Sequence, residues 1–330
     1  MAIKTVSLFA GCGGTDVGLE GGFEFLGKRY AKNPLKIVYA NDFEKSACNL
    51  YNKNFTHNID CQDIKLVEQL PQHDLLVAGF PCQSFSILAQ NPPRLGYKDE
   101  RGKLFFEVVR FLKKHQPKYF ICENVKGILS ADKGKTFPLI VSELANAGYT
   151  VQYQVVNSAD FGVPQKRMRV FIVGVRNDIG IPYVFPKAII TNNRFATIRQ
   201  ILEEQIDDKY WFSDKAVKGM KESNRKSKSI MNKGRAQDLD APCNTVTAHL
   251  SKVSLNGTDP VLLMDSKYRR FTPREVARIQ GFPEKYILEE SDANVYKALG
   301  NAISPVVAWH IVKGICDIEE QLKKDVAVNE

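Results

Sequence analysis

Short apolar runs alternate with amphipathic segments from Ile3 to about Val175, and this alternation constrains the fold more than any other feature of the chain. The apolar runs are rich in β-branched and aromatic residues, which is typical of buried strands. The sequence predicts strands at residues 5–9, 37–40, 75–78, 119–122 and 151–156, with helices at 44–54, 104–114 and 139–147. Because such alternation produces parallel βαβ units, we expect an α/β fold with a doubly wound, mostly parallel sheet.

The pattern changes further along the chain. Residues 157–169 interrupt the alternation, and residues 170–175 predict one more strand, antiparallel to its neighbour. Thr272 is expected to cap a helix over residues 272–280, with Pro273 at its first position. Residues 305–322 predict a final amphipathic helix. A chain of 330 residues is long enough for one large core and a smaller second lobe.

Composition argues against several classes of protein. No stretch approaches the roughly 18 consecutive apolar residues of a membrane span, and the first residues do not resemble a signal peptide, so we expect a cytoplasmic protein. The seven cysteines form no CxxC pair, which argues against a disulfide framework or a zinc knuckle. The sequence predicts no metal site.

Positive charge is concentrated in one segment. The formal net charge is +9, and residues 215–235 hold eight Lys or Arg and one Glu, so that +7 lies in this segment and +2 in the rest. Such a run is either a solvated loop or a surface that contacts nucleic-acid phosphates.

A glycine-rich turn, FAGCGG at residues 9–14, follows the first predicted strand. Its spacing matches neither the GxGxxG dinucleotide fingerprint nor a P-loop. Asp42 ends the second strand and Asp63 lies in the next unit. Acids at these positions suit S-adenosylmethionine, with its ribose diol and positive centre, better than NAD. A plain tight turn, and a helix N-terminal acid at Asp63, are the competing interpretations.

Cys82 lies in GFPCQSFS, directly after a core strand, where active-site loops gather in doubly wound sheets. A nucleophilic thiolate needs nearby positive charge, for which Arg101, Arg167 and Arg169 are candidates. Arg167 and Arg169 alternate along a predicted strand and are expected on the same face, either to bind a substrate or as an exposed basic strand. A buried Glu123 can stay protonated and donate a hydrogen bond, although an ordinary strand-end Glu is the alternative.

Seven motifs resemble, in order, those of the C5-cytosine DNA methyltransferase family and together span almost the whole chain. They are FAGCGG (9–14), GFPCQSFS (79–86), RGKLF (101–105), ENV (123–125), QKRMRV (165–170), RRFTPREVARIQGFP (269–283) and GNAISP (300–305). The resemblance implies a Rossmann-like sheet that binds S-adenosylmethionine and a second, smaller target-recognition domain. The expected large domain comprises residues 1–186 and 298–330. The expected small domain, 187–297, holds the target recognition region at about 187–268 and a hinge and helix at about 269–297.

The resemblance also implies roles for individual residues. The expected catalytic residues are Cys82, Glu123, Arg167 and Arg169. The expected cofactor-binding residues are Phe9, Gly11, Cys12, Gly13, Gly14, Asp42, Phe43, Asp63, Ile64, Pro81, Leu104, Asn301 and Ala302. The expected DNA-binding residues are Gln83, Ser86, Arg101, Gln165, Lys226, Lys228, Arg235, Thr245 and His249. Two positions depart from the family pattern, Asp42 where Glu is usual and Gln62 where Gly is usual.

The resemblance implies covalent chemistry. Cys82 would add to C6 of a cytosine flipped out of duplex DNA, which makes C5 nucleophilic enough to accept a methyl group. Glu123 would protonate or hydrogen-bond N3 and the exocyclic amine, and Arg167 would stabilise O2. Residues 83–98 would close over the DNA.

Duplex DNA is the expected partner, and a restriction endonuclease acting on the same site would work without forming a stable complex. The chain is expected to be a bacterial monomer. Methylation of tRNA by the same fold is the alternative function, and the basic segment favours DNA. A catalytically silent DNA-binding protein fits poorly with intact Cys82, Glu123 and Arg167. A Rossmann-type dehydrogenase fits poorly with the missing GxGxxG.

Neutralising Lys226 and Lys228 is expected to flatten the salt dependence of DNA binding. Each phosphate contact contributes a slope of about −0.9 to log affinity against log salt, because it releases condensed counterions. Fluorescence anisotropy with duplex DNA at several salt concentrations measures the slope for the wild type and for the Lys226→Ala/Lys228→Ala variant. An unchanged slope would mean that neither side chain contacts a phosphate.

Overall fold

The computed structural model describes residues 2–81, 104–190, 192, 194–218, 235–251 and 259–329. Its strands are β1 (Ile3–Leu8), β2 (Phe23–Phe25), β3 (Lys28–Tyr30), β4 (Leu35–Asp42), β5 (Asp60–Cys61), β6 (Leu75–Ala78), β7 (Tyr119–Val125), β8 (Tyr149–Asn157), β9 (Gln165–Lys166), β10 (Met168–Arg176), β11 (Cys243–Asn244), β12 (Leu262–Met264) and β13 (Lys267–Arg269). Its α-helices are α1 (Gly14–Glu20), α2 (Lys45–Asn54), α3 (Leu104–His115), α4 (Thr136–Asn146), α5 (Pro273–Ile279), α6 (Asp292–Asn301) and α7 (Pro305–Asn329).

Seven strands form one sheet in the order β5-β4-β1-β6-β7-β10-β8. The five strands from β5 to β7 are parallel, and β10 runs antiparallel to both β7 and β8. The predicted α/β sheet and its antiparallel strand are therefore confirmed. The strand order reverses at β1, with β4 and β5 on one side and β6 and β7 on the other. Ligands bind such sheets in the crevice at the carboxyl ends of the strands beside this reversal.

Helices cover both faces of the sheet. Successive side chains of a strand point to opposite faces, so Ile3 of β1 packs with α1 and α7, whereas Val6 and Leu8 pack with α3 and α4. Ile311 of α7 lies on one face of the sheet and Leu112 of α3 on the other, and both are fully buried. The doubly wound arrangement therefore follows from the alternation of apolar residues along each strand.

A third cluster of buried side chains is built mainly from residues 198–299, and it also includes Cys12, Ala47 and Leu50 from the first part of the chain. Thr272 caps α5 as predicted, with Pro273 at its first position. The Thr272 backbone N–H donates to Glu275 Oε2 at 2.9 Å, and the Thr272 hydroxyl accepts from the Glu275 N–H at 3.1 Å. This reciprocal capping box starts the helix sharply.

The features that were not predicted include the hairpins β2–β3 and β12–β13, the short strands β5 and β11, and α6. The β2–β3 turn explains one omission, because Leu26 and Gly27 both adopt positive φ, 46° and 72°. Asn-Gly or Asp-Gly is the usual sequence signal for such a turn, and Leu-Gly is not. In the ranges that the structure describes, no helix has the length and apolar character that a membrane crossing requires.

Candidate functional site

The glycine-rich turn joins β1 to α1 and is tied to the end of β4. The Gly11 N–H donates to Asp42 Oδ2 at 2.8 Å, and the Glu44 N–H donates to Asp42 Oδ1 at 2.8 Å. Burial raises the pKa of Asp42, and these backbone donors lower it in part. Phe9 adopts φ 55°, a left-handed conformation that costs a non-glycine residue about 1–2 kcal/mol. Strain of this kind clusters at functional sites.

A cavity of about 180 Å³ lies beside this turn, and its lining includes five of the residues expected to bind a cofactor. The lining consists of Phe9, Asn41, Phe43, Gln62, Asp63, Ile64, Lys65 and Leu104. Phe43 is 69% exposed, so its ring is free to stack on a ligand. An aromatic face beside carboxylates suits an adenosine that carries a positive centre. A larger cleft of about 690 Å³, between the β2–β3 hairpin and α5, contains none of the predicted site residues.

The loop after α6 approaches the start of α1 very closely. A Cβ atom built on Gly14 would lie 2.4 Å from the Ile303 carbonyl oxygen and 3.3 Å from Cβ of Ala302, so a side chain at Gly14 would push the loop away. This approach brings Ala302 next to the glycine-rich turn. Asn301 is exposed at the end of α6, and neither Asn301 nor Ala302 lines the cavity.

Glu123 and Arg169 form an ion pair at the end of the sheet. Arg169 Nε lies 2.9 Å from Glu123 Oε1, and the two side chains are only 16% and 12% exposed. Burial raises the pKa of Glu123, while the charges of Arg169 and Arg167 lower it in part. The carboxyl group therefore holds a proton at higher pH than an exposed Glu does.

The segment that leads into Cys82 is held beside this pair. The Asn124 amide donates to the Phe80 carbonyl oxygen at 2.9 Å. A Cβ atom built on Gly79 would lie 3.9 Å from Glu123 Oε2 and 4.0 Å from the Phe9 carbonyl oxygen. Residues 79–81 therefore run between the glycine-rich turn and the acid, which brings two of the predicted clusters to one place.

Several predicted site residues lie outside the described ranges: Cys82, Gln83, Ser86, Arg101, Lys226 and Lys228. Of those within the ranges, Pro81 and His249 are exposed. The Thr245 hydroxyl donates to the Lys166 carbonyl oxygen at 2.7 Å, which ties this segment to β9. The Cys12 side chain packs into the third hydrophobic cluster, so any cofactor contact of Cys12 involves its backbone.

The guanidinium of Arg167 is occupied by the protein's own backbone, which argues against the expected role of Arg167 at the cytosine O2. Arg167 falls between β9 and β10, outside the regular alternation, and is 2% exposed. Its guanidinium donates to the carbonyl oxygens of Val246, Gly300 and Ala302 at 3.1, 3.0 and 3.1 Å. Burial and the neighbouring Arg169 lower its pKa. Arg167 therefore joins three segments of the chain, and Arg169 is the guanidinium beside Glu123.

Gln165 and Arg235 also differ from their expected role in DNA contact. Gln165 is fully buried, and its amide donates to Gln280 Oε1 at 2.8 Å and accepts from the Val246 N–H at 3.0 Å. Arg235 is largely buried and donates from Nε to the Asp259 carbonyl oxygen at 3.0 Å. Both side chains hold segments of the protein together, so their positions argue against contact with DNA.

Three positioning residues were missed. Asn124 stands in the ENV motif, which could have signalled it. Tyr286, from the segment after α5, donates its hydroxyl hydrogen to the Cys12 carbonyl oxygen. Gly300 approaches Thr247 and Ala248 so closely that a Cβ atom built on Gly300 would lie 2.3 Å from the Ala248 nitrogen. Tyr286 had no sequence signal, since its partner is distant in the chain.

Comparison with known proteins agrees with this geometry. The sequence profile of the family described as C-5 cytosine-specific DNA methylase matches residues 3–317. The chain is 36% identical to the Type II methyltransferase M1.ScrFI of Lactococcus lactis subsp. cremoris, over 97% of this chain and 80% of that protein. It is 34% identical to the Type II methyltransferase M.DsaV of Dactylococcopsis salina, over 98% and 89%. Its fold is similar to that of the S. pombe Dnmt2 methyltransferase, with a TM-score of 0.72, 22% identity, and 97% and 99% of the two chains covered.

Replacing Arg167 by Lys is expected to lower the free energy of unfolding by about 2–4 kcal/mol. An ammonium group lacks the planar fork that reaches three carbonyl oxygens, so buried acceptors lose their donors. Urea unfolding followed by circular dichroism measures the change. Arg199→Lys is the matched control, because Arg199 pairs with an acid at the surface and its replacement should not move the midpoint. Equal midpoints for both variants would contradict the structural role of Arg167.

Proposed function

The chain belongs to the C-5 cytosine-specific DNA methylase family, and from this premise we propose that Cys82, Glu123 and Arg169 act directly on the target cytosine. The enzyme transfers a methyl group from S-adenosylmethionine to C5 of cytosine in DNA. One observation carries the proposal: the buried Glu123–Arg169 pair lies beside residues 79–81, which lead directly into Cys82.

The first step is addition of the Cys82 thiolate to C6. A carbon–sulfur bond forms, the C5–C6 double bond shifts to C4–C5, and negative charge develops on N3. Glu123 gives its proton to N3, and the guanidinium of Arg169 stabilises the developing charge at O2. The raised pKa of Glu123 supports this role, because the acid must be protonated when the thiolate attacks.

Bound S-adenosylmethionine would supply an electrophilic methyl group to C5, and its sulfur would keep the electrons of the broken carbon–sulfur bond and leave as S-adenosylhomocysteine. The C5 proton then leaves to a water molecule acting as base, and its bonding electrons restore the C5–C6 double bond and expel the Cys82 thiolate. The proton on N3 returns to Glu123, so both residues end in their starting states.

Phe9, Asp42, Phe43 and Asp63 would hold the cofactor. The exposed ring of Phe43 and the cavity that it shares with Phe9 and Asp63 support this assignment. Asp42 already accepts two backbone hydrogen bonds, one on each oxygen, but a carboxylate offers about four lone-pair positions, so it can also accept ribose hydroxyls. The shorter side chain at this position is therefore compatible with binding.

Residues 1–186 and 298–330 would form the large domain and residues 187–297 the small one. The third hydrophobic cluster, drawn mainly from residues 198–299, supports this division. The basic segment at 215–235 would contact phosphates while a cytosine flips out of the duplex, at a cost of a few kcal/mol. Because its substrate is DNA, the enzyme would work in the bacterial cytoplasm. It would act as a monomer and form no stable complex with an endonuclease.

Cys82→Ser is expected to abolish methylation while leaving the affinity for S-adenosylmethionine within about twofold. A serine hydroxyl is far less acidic than a thiol and cannot add to C6 without a base. Tritium transfer from labelled cofactor to duplex DNA measures turnover, and equilibrium dialysis measures cofactor binding. The control is Cys61→Ser, at an exposed cysteine, which should keep full turnover. Retained turnover in Cys82→Ser would refute the covalent route.

The protonated form of Glu123 is the active one, so kcat should fall as pH rises through its raised pKa. Glu123→Gln can donate a hydrogen bond but cannot deliver a proton, so kcat should drop by about 10²–10⁴-fold and lose this alkaline limb. Single-turnover rates measured from about pH 5 to about pH 9 test the alkaline limb in the wild type and its loss in the variant. An alkaline limb that persists in Glu123→Gln would belong to another group.

A further inference from the structure

Two cysteines flank the strand end that carries Asp42. Cys48 lies in α2, is buried, and donates a thiol hydrogen bond to the Asp42 carbonyl oxygen at 3.6 Å. Cys61 is the second residue of β5, is exposed, and lies opposite Asp42 in the parallel ladder. Both cysteines are therefore direct neighbours of Asp42, Cys48 through its thiol and Cys61 through strand pairing.

Residues adjacent to the two cysteines and to Asp42 line the cavity beside the glycine-rich turn. Phe43 follows Asp42 directly, and Asp63 comes two residues after Cys61; both side chains line the cavity. The Asn41 amide clamps β5 to β4 by donating to the carbonyl oxygens of Asp60 and Gln62, both at 3.0 Å. A change in the spacing between α2 and β5 is therefore transmitted to both of these lining residues.

We propose that Cys48 and Cys61 form a redox modification site that reacts with low-molecular-weight disulfides such as oxidised glutathione, and that their cross-link lowers the affinity for S-adenosylmethionine. This inference rests on the proposed position of the cofactor site. Disulfides in a reducing compartment are usually transient and serve as sensors. Here the exposed thiol of Cys61 can react with a small disulfide, and the buried thiol of Cys48 can then displace it.

The reaction proceeds by two thiol–disulfide exchanges. The Cys61 thiolate attacks one sulfur of the small disulfide, forming a mixed disulfide and releasing one small thiolate. Burial raises the pKa of Cys48, so the Cys48 thiol attacks the Cys61 sulfur while its proton passes to the departing small thiolate, which forms the Cys48–Cys61 bond and releases the second small thiol. The oxidant gains two electrons, the protein loses two, and the two thiol protons pass to the released thiols.

Closing this bond changes the geometry around Asp42. A disulfide holds its two sulfur atoms about 2.05 Å apart, and the Cys48 sulfur can then no longer donate to the Asp42 carbonyl oxygen. We expect the first turn of α2 to move relative to β5, and Phe43 and Asp63 to move with them. Misplaced contacts hold a ligand less tightly, so we expect the dissociation constant for the cofactor to rise by about tenfold.

The test compares cofactor binding before and after oxidation of the full-length protein by oxidised glutathione. Equilibrium dialysis with labelled S-adenosylmethionine gives the dissociation constant, and dithiothreitol should restore the starting value. Trypsin should release residues 46–53 linked to residues 54–65, each with one cysteine, which mass spectrometry identifies.

Cys61→Ser is the matched control, because it keeps Cys82 and every other cysteine. Oxidised Cys61→Ser should bind the cofactor as the reduced protein does, and Cys48→Ala should give only a mixed disulfide on Cys61. A linked peptide with unchanged affinity would overturn the proposal, as would a loss of affinity that persists in Cys61→Ser. Failure of the reduced wild type to bind the cofactor would instead contradict the proposed function.

Discussion

The buried guanidinium of Arg167 is the interaction on which the rest of the site depends. Its three hydrogen bonds join the entry to β10, the segment around Val246, and the loop after α6, which are separated by as many as 135 residues. A charge this deeply buried is tolerated only when hydrogen bonds surround it. If one of the three segments moved away, the guanidinium would lose a hydrogen bond that buried surroundings cannot replace. The three segments therefore keep one relative position. That position sets where β10 begins and hence where Arg169 meets Glu123.

The parts of the fold that could be predicted from the sequence are those whose contacts are local. The alternation of strands and helices, the antiparallel strand and the capped helix at Thr272 were all predictable, because each rests on periodicity or on residues within one turn of each other. The cavity beside Phe9 was predictable as well. It lies at the carboxyl ends of strands, where a doubly wound sheet always leaves a crevice.

The positions of Arg167, Arg235 and Gln165 could not be predicted, because they depend on partners that are distant in the chain. Arg167 lies in the one-residue break between β9 and β10, and its guanidinium reaches carbonyl oxygens of two segments far along the chain. Arg235 looks like part of a basic surface until its partner at Asp259 is known. Polar side chains of identical type can contact DNA or hold the protein together, and only tertiary pairing separates the two roles.

The contact between Gly14 and Ile303 has a consequence for how the enzyme is made. The turn that opens the first helix packs against a loop far along the chain, and α7 packs on α1. A ribosome therefore releases the glycine-rich turn long before the loop that packs against it. A chain that stops before Ile303 has every residue of the cavity lining but lacks the loop that supports Gly14.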